Sequence, residues 1–320
     1  MTRTLIVNVP NLTKTHQAAI LTAAGMHGFQ THFLSGAGQS PDLVRQAEII
    51  FGSSPDLAKG APRLRWQCTP TAGINQFTAP GAFPKEGAML SNSSGAYGVT
   101  IAEHIMMVTL DMLRRQQEYA EIVSRRGWTR NLPIRSIKDS RVTMLGTGDI
   151  GREAARRIRA FGPEWIAGVN RSGSNPDKLF DRVIGQQELN AILPQTDLLI
   201  MSLPGTDETN RLLNAERLAL LPEGSLIVNV GRGSAIDQQA LAGFLREGRL
   251  RAALDVFEHE PLPEDDDLWT SPNLLITPHI AGNTTLPYTL DSIVRLFIED
   301  FDNYCGGRPL RRQADLTQGY

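Results

Sequence analysis

The chain has 320 residues, enough for about two domains of ordinary size, and 41% of them are hydrophobic and 21% charged. That balance excludes a disulfide-stapled miniprotein, a disordered chain and a collagen-like one. Lys plus Arg number 32 against 34 Asp plus Glu, a formal charge of −2 with no strongly basic block, so nothing electrostatic favours nucleic acid or an anionic membrane as a partner. No stretch approaches the roughly 18 uncharged apolar residues that span a bilayer. The first ten residues read straight into a strand, without the apolar region of a signal peptide. Cys68 and Cys305 are the only cysteines and form no Cys-x-x-Cys, which suits a reducing compartment and a cytosolic chain.

Short β-rich runs alternate with helical periodicity, the pattern of a parallel α/β protein. Residues 5–9, 49–52 and 64–68 are strand candidates, with a helix near residues 13–24 between the first two. Thr100-Ile101-Ala102-Glu103 has capping-box spacing and predicts the start of a long helix. Its stripe of Ile101, Ile105, Val108 and Met112, widened by Ala102, Met106, Thr109 and Leu113, is broad enough to suggest a dimer contact as well as a core face. A second strand series follows at residues 141–145, 165–170, 198–203, 226–230, 252–256 and 274–277. Six strands make one complete doubly wound dinucleotide-binding sheet. A closing helix near residues 289–304 carries Leu290, Ile293, Val294, Phe297 and Phe301 on one face and stops at Gly306-Gly307. It has no sheet of its own series left to complete, so it is expected to return to the first domain. The expected division is residues 1–99 with 285–320 for one domain, and 100–284 for the dinucleotide-binding domain.

Leu145-Gly146-Thr147-Gly148-Asp149-Ile150-Gly151 sits between a strand and a helix that carries Ala154, Ala155, Ile158 and Phe161 at helical spacing. Gly146 permits the tight turn, Gly148 the approach of a pyrophosphate, and Gly151 close packing of helix on strand. The next strand ends Asn170-Arg171-Ser172, with no acid until Asp177. A carboxylate there would bind the ribose 2′-hydroxyl of NAD, whereas Arg171 can pair with a 2′-phosphate and Ser172 can donate to it. NADP is therefore favoured and NAD remains possible; the bland alternative is that Arg171 is a solvated loop charge.

Three further segments lie just past strand ends, where open α/β sheets bind ligands: Asn229-Val230-Gly231-Arg232-Gly233, Asp255-Val256-Phe257-Glu258-His259-Glu260-Pro261, and Thr277-Pro278-His279-Ile280-Ala281-Gly282. Together with the glycine turn and Ser202-Leu203-Pro204, these segments resemble the D-isomer-specific 2-hydroxyacid dehydrogenase family, which includes glyoxylate/hydroxypyruvate reductases. The resemblance covers essentially the whole chain. It implies an α/β fold of two flavodoxin/Rossmann-like lobes, the cofactor lobe a doubly wound parallel sheet inserted into a discontinuous substrate lobe, and a homodimer.

It also implies reduction of a small 2-oxo acid to the D-2-hydroxy acid, with Arg232, Glu260 and His279 as the catalytic set. Arg232 would bind the substrate carboxylate and carbonyl, and His279, beside the Glu260 carboxylate, would act as general acid/base. The implied cofactor contacts are Gly146, Thr147, Gly148, Asp149, Ile150, Gly151, Asn170, Arg171, Ser172, Leu203, Pro204, Thr209, Val230, Gly231, Arg232, Asp255, His279 and Gly282. Asp255 would sit near the nicotinamide amide, though a strand-end cap is an alternative. For substrate, the resemblance adds the Thr71-Ala72-Gly73-Ile74 loop, whose Ala72 and Gly73 amides would hold a carboxylate unless it is a plain turn.

Ser93-Ser94-Gly95-Ala96-Tyr97-Gly98 departs from the commoner family pattern and could be a hinge or a pocket wall, with Tyr97 shaping substrate choice. Glu258-His259-Glu260 is not read as a metal site, because consecutive side chains on an extended segment point to opposite faces. A carboxylate at position 260 also argues against formate dehydrogenase chemistry, which calls for Gln there. A dinucleotide-sensing, corepressor-like interaction protein is the alternative of a different class, since such relatives keep the same three residues.

Overall fold

The computed structural model describes residues 3–35, 40–84, 87–174, 178–316 and 318–319. The chain separates into two compact units, Met1–Tyr97 with Asn283–Tyr320, and Gly98–Gly282. The first begins with β1 (Arg3–Asn8), α1 (Lys14–Met26), β2 (Phe29–Phe33), α2 (Pro41–Gln46) and β3 (Ile49–Gly52), and continues with α3 (Pro55–Lys59), β4 (Trp66–Cys68), α4 (Asn75–Thr78) and β5 (Met89–Ser91). All five strands are parallel, in the order β2-β1-β3-β4-β5, the flavodoxin-like winding. Two of them, β2 and β5, are not expected from the sequence. Phe29-Gln30-Thr31-His32-Phe33 is buried at only one residue, and β5 is three residues long.

Helix α1 starts where the sequence places it. The Thr13 hydroxyl accepts from the His16 amide at 3.3 Å, and the Thr13 amide donates to His16 Nδ1 at 3.2 Å. A histidine thus fills the role that Glu usually has in a capping box.

The second unit contains α5 (Gly98–Arg114), α6 (Gln116–Ser124), β6 (Arg141–Leu145), α7 (Asp149–Arg159), β7 (Trp165–Asn170) and β8 (Arg182–Gly185). It continues through α8 (Leu189–Ile192), β9 (Leu198–Met201), α9 (Ala215–Leu220), β10 (Ser225–Asn229), α10 (Gln238–Arg246), β11 (Leu250–Leu254) and β12 (Leu274–Ile276). Its sheet is wholly parallel, in the order β12-β11-β10-β9-β6-β7-β8. This is the doubly wound arrangement with a seventh strand. The strand beyond the six expected is β8, a four-residue edge strand with one fully buried position.

Helix α5 begins at Gly98, two residues before the expected cap, so Thr100 lies within the first turn. The Asp149 carboxylate accepts from the Gly98 amide, and a side chain at the helix start is not needed. The apolar stripe of α5 is spent inside the unit. Ile101, Ala102, Ile105, Met106, Val108, Met112 and Leu113 are all buried, and the helix packs on α7, β10 and β11. Its breadth therefore reflects several neighbours within one chain and gives no argument for a dimer. Helix α7 buries Gly151, Ala154, Ala155 and Ile158 and ends before Phe161, which is 43% exposed instead of continuing the stripe.

Helix α11 (Pro287–Cys305) closes the first unit. Phe297 stacks on Phe51 with centroids 4.0 Å apart and on Trp66 at 5.4 Å, and Phe301 meets Phe29 edge-on at 5.1 Å. Such pairs add about 0.5–1.5 kcal/mol each beyond area burial. Polar ties flank this aromatic seam: Asp291 binds His16 Nε2 at 2.6 Å, and the Tyr304 hydroxyl donates to Glu48 at 2.8 Å. Among the described residues no helix is long and apolar enough to cross a membrane.

Candidate active site

Strand register builds the site. Leu145 pairs with Met201, Met201 with Asn229, Asn229 with Leu254, and Leu254 with Ile276. The last residues of five parallel strands thus form one row across the sheet; Gly146, Ser202, Asp255 and Thr277 follow it directly, and the Arg232 segment starts from Asn229 within it. The strands stop earlier than the sequence suggests. Ser202-Leu203-Pro204, Val230, Asp255 and Thr277 are accordingly loop residues at the carboxyl edge.

The glycine turn after β6 divides its glycines by function. Gly146 has φ +101°, and a Cβ there would lie 2.9 Å from Ser202 Oγ; a Cβ on Gly151 would lie 2.1 Å from the Gly146 carbonyl oxygen. Both glycines are demanded by the fold itself. Gly148 has φ −75°, which any residue tolerates, and a Cβ on it would meet nothing within 4 Å. The glycine at 148 is thus explained by nothing in the chain, and it is the N-cap of α7. An open backbone at a helix N-terminus fits a pyrophosphate.

We expect Gly151→Ala to destabilise the unit by about 1–3 kcal/mol, the cost of overpacking. Gly148→Ala should leave the unfolding midpoint unchanged while weakening dinucleotide binding. Denaturant titration and fluorescence binding on both variants check this. Equal stability losses would remove the distinction.

Asp149 turns its carboxylate to the start of α5, and partial burial pushes its pKa up. Thr147 accepts from the Asn170 amide at 2.8 Å. Asn170 also donates to the Ser174 carbonyl at 3.0 Å and accepts from the Gly173 amide at 2.7 Å. It organises the loop that presents Arg171 and Ser172, both exposed. Asp177 lies outside the described residues. Thr209 is buried, its hydroxyl donating to the Pro204 carbonyl at 2.7 Å and accepting from the Thr206 amide at 3.0 Å. Its observed role is to hold the loop after β9. Ile150 and Gly282 are half-buried, and the Val230 amide donates to Met201 at 3.0 Å.

The Gly-Arg-Gly turn after β10 exists because neighbouring loops crowd it. A Cβ at Gly231 would come within 2.7 Å of the Leu203 backbone, and one at Gly233 within 1.9 Å of the Phe257 carbonyl carbon. Asn229 braces the turn, accepting from the Gly231 amide at 3.0 Å and donating to the Arg232 carbonyl at 2.9 Å. Arg232 is half-buried and donates to the Gly231 carbonyl at 2.8 Å. Burial lowers the guanidinium pKa and the Glu260 charge opposes that; the group remains a cation at any neutral pH.

His279 Nδ1 lies 2.6 Å from Glu260 Oε2, and the other carboxylate oxygen accepts from the Phe257 amide at 2.9 Å. A carboxylate only accepts, so Nδ1 carries the hydrogen and Nε2 is the nitrogen available for chemistry. The structure therefore brings Arg232, Glu260 and His279 to one edge of one sheet. His279 has φ +53°, a left-handed conformation that a non-glycine residue adopts at a cost of order 1 kcal/mol or more.

Asp255 holds that loop. Its buried carboxylate accepts from the Ile280 amide at 2.9 Å, the Ala281 amide at 3.0 Å and the Thr277 hydroxyl at 2.6 Å, while the His279 amide donates to its backbone carbonyl at 2.9 Å. This is the strand-end cap, made by the side chain that the sequence also offers to the cofactor. His104 of α5 adds a contact that sequence reading missed: its Nε2 is 3.3 Å from the Thr277 hydroxyl oxygen. Burial lowers the His104 pKa against the opposing pull of Asp255. Among the described residues no group of three or more His, Cys, Asp or Glu is arranged to hold a metal.

In the first unit the loop after β4 is tied down through its carbonyls. Pro70, Thr71, Ala72 and Gly73 accept in turn from the Tyr97 hydroxyl at 2.5 Å, the Ser93 amide at 3.0 Å, Asn92 Nδ2 at 2.9 Å and the Thr71 hydroxyl at 2.7 Å. The Thr71 amide donates to the Thr69 hydroxyl at 3.5 Å, and Ala72 and Gly73 supply the further amides of the loop. Tyr97 is buried, which raises its phenol pKa, and its hydroxyl is committed to Pro70. The Ser93 hydroxyl donates to the Thr69 carbonyl at 3.0 Å, so this segment braces the loop.

Comparison with known proteins agrees with this construction. Residues 106–281 match the model for the D-isomer specific 2-hydroxyacid dehydrogenase NAD binding domain. A glyoxylate/hydroxypyruvate reductase B from Erwinia tasmaniensis is 32% identical over 253 residues, 76% of this chain and 78% of that one. A D-isomer specific 2-hydroxyacid dehydrogenase family protein from Aeromonas salmonicida is 31% identical and superposes with a TM-score of 0.86, covering 99% of this chain and 100% of the other. An NADPH-dependent glyoxylate/hydroxypyruvate reductase from Sinorhizobium meliloti, solved with NADP and sulfate, is 26% identical at a TM-score of 0.83, with coverage of 99% and 100%. The matched span includes the glycine turn, Arg232, Glu260 and His279, and the chain belongs to the D-isomer specific 2-hydroxyacid dehydrogenases.

Proposed function

We propose that the protein reduces a small 2-oxo acid, of the glyoxylate or hydroxypyruvate kind, to the D-2-hydroxy acid. The observation that carries this reading is the 2.6 Å His279–Glu260 pair on the same sheet edge as the half-buried Arg232. NADPH, when bound along the glycine turn, supplies the hydride. Arg232 polarises the substrate carbonyl and binds its carboxylate through a planar fork that matches both. His279 gives its Nε2 proton to the developing alkoxide, and Glu260 keeps the ring oriented from Nδ1. In the first unit, the Ala72 and Gly73 amides are donors of the kind that hold a carboxylate. The names of the reductase relatives support the substrate class. A panel of 2-oxo acids mixed with NADPH and the purified chain tests it: absorbance loss with glyoxylate or hydroxypyruvate is expected, and inertness toward every member overturns it.

Preference for NADPH over NADH belongs to the same proposal. Arg171 and Ser172 stand where a ribose-binding acid is absent, and relatives solved with NADPH or NADP support the choice. Replacing both residues by alanine is expected to weaken NADPH binding by at least tenfold, the scale of one charge-assisted contact, and to leave NADH nearly unaffected. Equal losses for the two cofactors would contradict this assignment.

A homodimer is also proposed, now resting on the exposed Met107, Val123, Trp128 and Ile134 of the second unit in place of the buried α5 stripe. Light scattering at micromolar concentration should give twice the chain mass; the mass of one chain would refute it.

A further inference from the structure

We propose that His104, through Thr277 and Asp255, is a positioning residue that holds the His279 loop in its left-handed conformation. The inference rests on the proposed role of His279 and extends it to a helix outside the site. The geometry is directional. Thr277 has one hydroxyl hydrogen, and it goes to Asp255 Oδ1 at 2.6 Å. The 3.3 Å contact between Thr277 Oγ1 and His104 Nε2 can then be a hydrogen bond only if His104 donates. His104 consequently carries its hydrogen on Nε2, and the chain runs His104 to Thr277 to Asp255.

Asp255 also accepts from the amides of Ile280 and Ala281, the two residues that follow His279, and its Oδ1 lies 3.8 Å from His104 Nε2. Its backbone carbonyl takes the His279 amide. The loop is thus clamped on both sides of the strained residue, with one chain of bonds ending on a side chain only 9% exposed.

The design has a physical reason. An imidazole at φ +53° would relax if its flanking amides lost their acceptor. Asp255 alone could turn about its side-chain torsions. Thr277 fixes one oxygen, and His104, seated on the rigid α5, fixes Thr277. Residual freedom of the loop would appear as a misplaced Nε2, and a displacement of 1 Å can cost about 10²-fold in rate.

Two pairs of variants test this. His104→Phe and Thr277→Val remove the donor and the relay, while His104→Gln and Thr277→Ser keep a donor near the Nε2 position and a hydroxyl on Cβ. With the first pair, kcat is expected to fall about tenfold, short of full displacement, with Kd for NADPH changed less than about twofold. Deuterium uptake at residues 277–282 should rise in the same variants. Gln and Ser should restore both readings to within about threefold of the parent protein.

The uptake measurement needs no substrate, so it separates the two hypotheses. Faster uptake in Phe and Val, reversed in Gln and Ser, supports the clamp even if the substrate class is wrong. Uptake and kcat unchanged in Phe and Val overturn the clamp. Equal effects in all four variants also overturn it, because they would mean that packing volume and not the directed bond holds the loop.

Discussion

His279→Ala is expected to lower the rate of 2-oxo acid reduction by about 10²–10⁴, the usual contribution of a positioned general acid, with affinity for NADPH nearly intact. The separation follows from where the residue sits. His279 is exposed at the carboxyl edge and bound through Nδ1 to Glu260, whereas the glycine turn proposed to receive the pyrophosphate follows a different strand, β6. The loop itself is held by Asp255 through backbone amides and Thr277, none of which the alanine removes. Stability should consequently change little, and relief of a left-handed residue is not available to alanine either. Steady-state kinetics and fluorescence titration on the same preparation check both halves. Near-normal turnover would eliminate His279 as the proton donor.

Arg232→Lys keeps the charge and is nonetheless expected to cost about 10²–10³ in kcat/KM, or roughly 3–4 kcal/mol, the scale of one lost oxyanion donor. The turn is built for a guanidinium: Asn229 fixes it from below, Gly231 and Gly233 let the Leu203 and Phe257 backbones press against it, and burial strips water from the group. An ammonium on a flexible stem cannot reach a carboxylate and a carbonyl at once. Initial rates over a range of 2-oxo acid concentrations give the answer. A lysine variant within twofold of the parent would show that only charge matters there.

Much of this site is legible in the chain because its parts are local. A glycine turn between a strand and a helix, a Gly-Arg-Gly after a strand and a Pro-His after another are each encoded within a few residues, and parallel strands place their ends in one row. The return of α11 follows as well, since Phe297 and Phe301 needed a partner that the second strand series could not offer. What sequence reading misses is what depends on distant residues. β8 and β5 carry too few apolar positions to announce themselves, and only pairing with β7 and β4 makes them strands. The start of α5 looks like Thr100 because the capping spacing is there; Asp149, far along the chain, supplies the acceptor instead. Likewise His104 reads as a polar interruption in an apolar helix until the fold brings it to Thr277. Asp255 shows the same limit, since no spacing rule distinguishes a cofactor ligand from the anchor of a neighbouring loop.

Transfer of the label from NADPH deuterated at the reactive face of the nicotinamide tests the reductase reading most directly. The chain is incubated with labelled NADPH and glyoxylate or hydroxypyruvate, and the product is weighed by mass spectrometry. One deuterium on C2 of the 2-hydroxy acid and one NADPH consumed per product are expected, with labelled product forming about 10²–10⁴ times more slowly in the His279→Ala protein. An unlabelled hydroxy acid, or none from any 2-oxo acid while NADPH still binds, would contradict hydride transfer at this site.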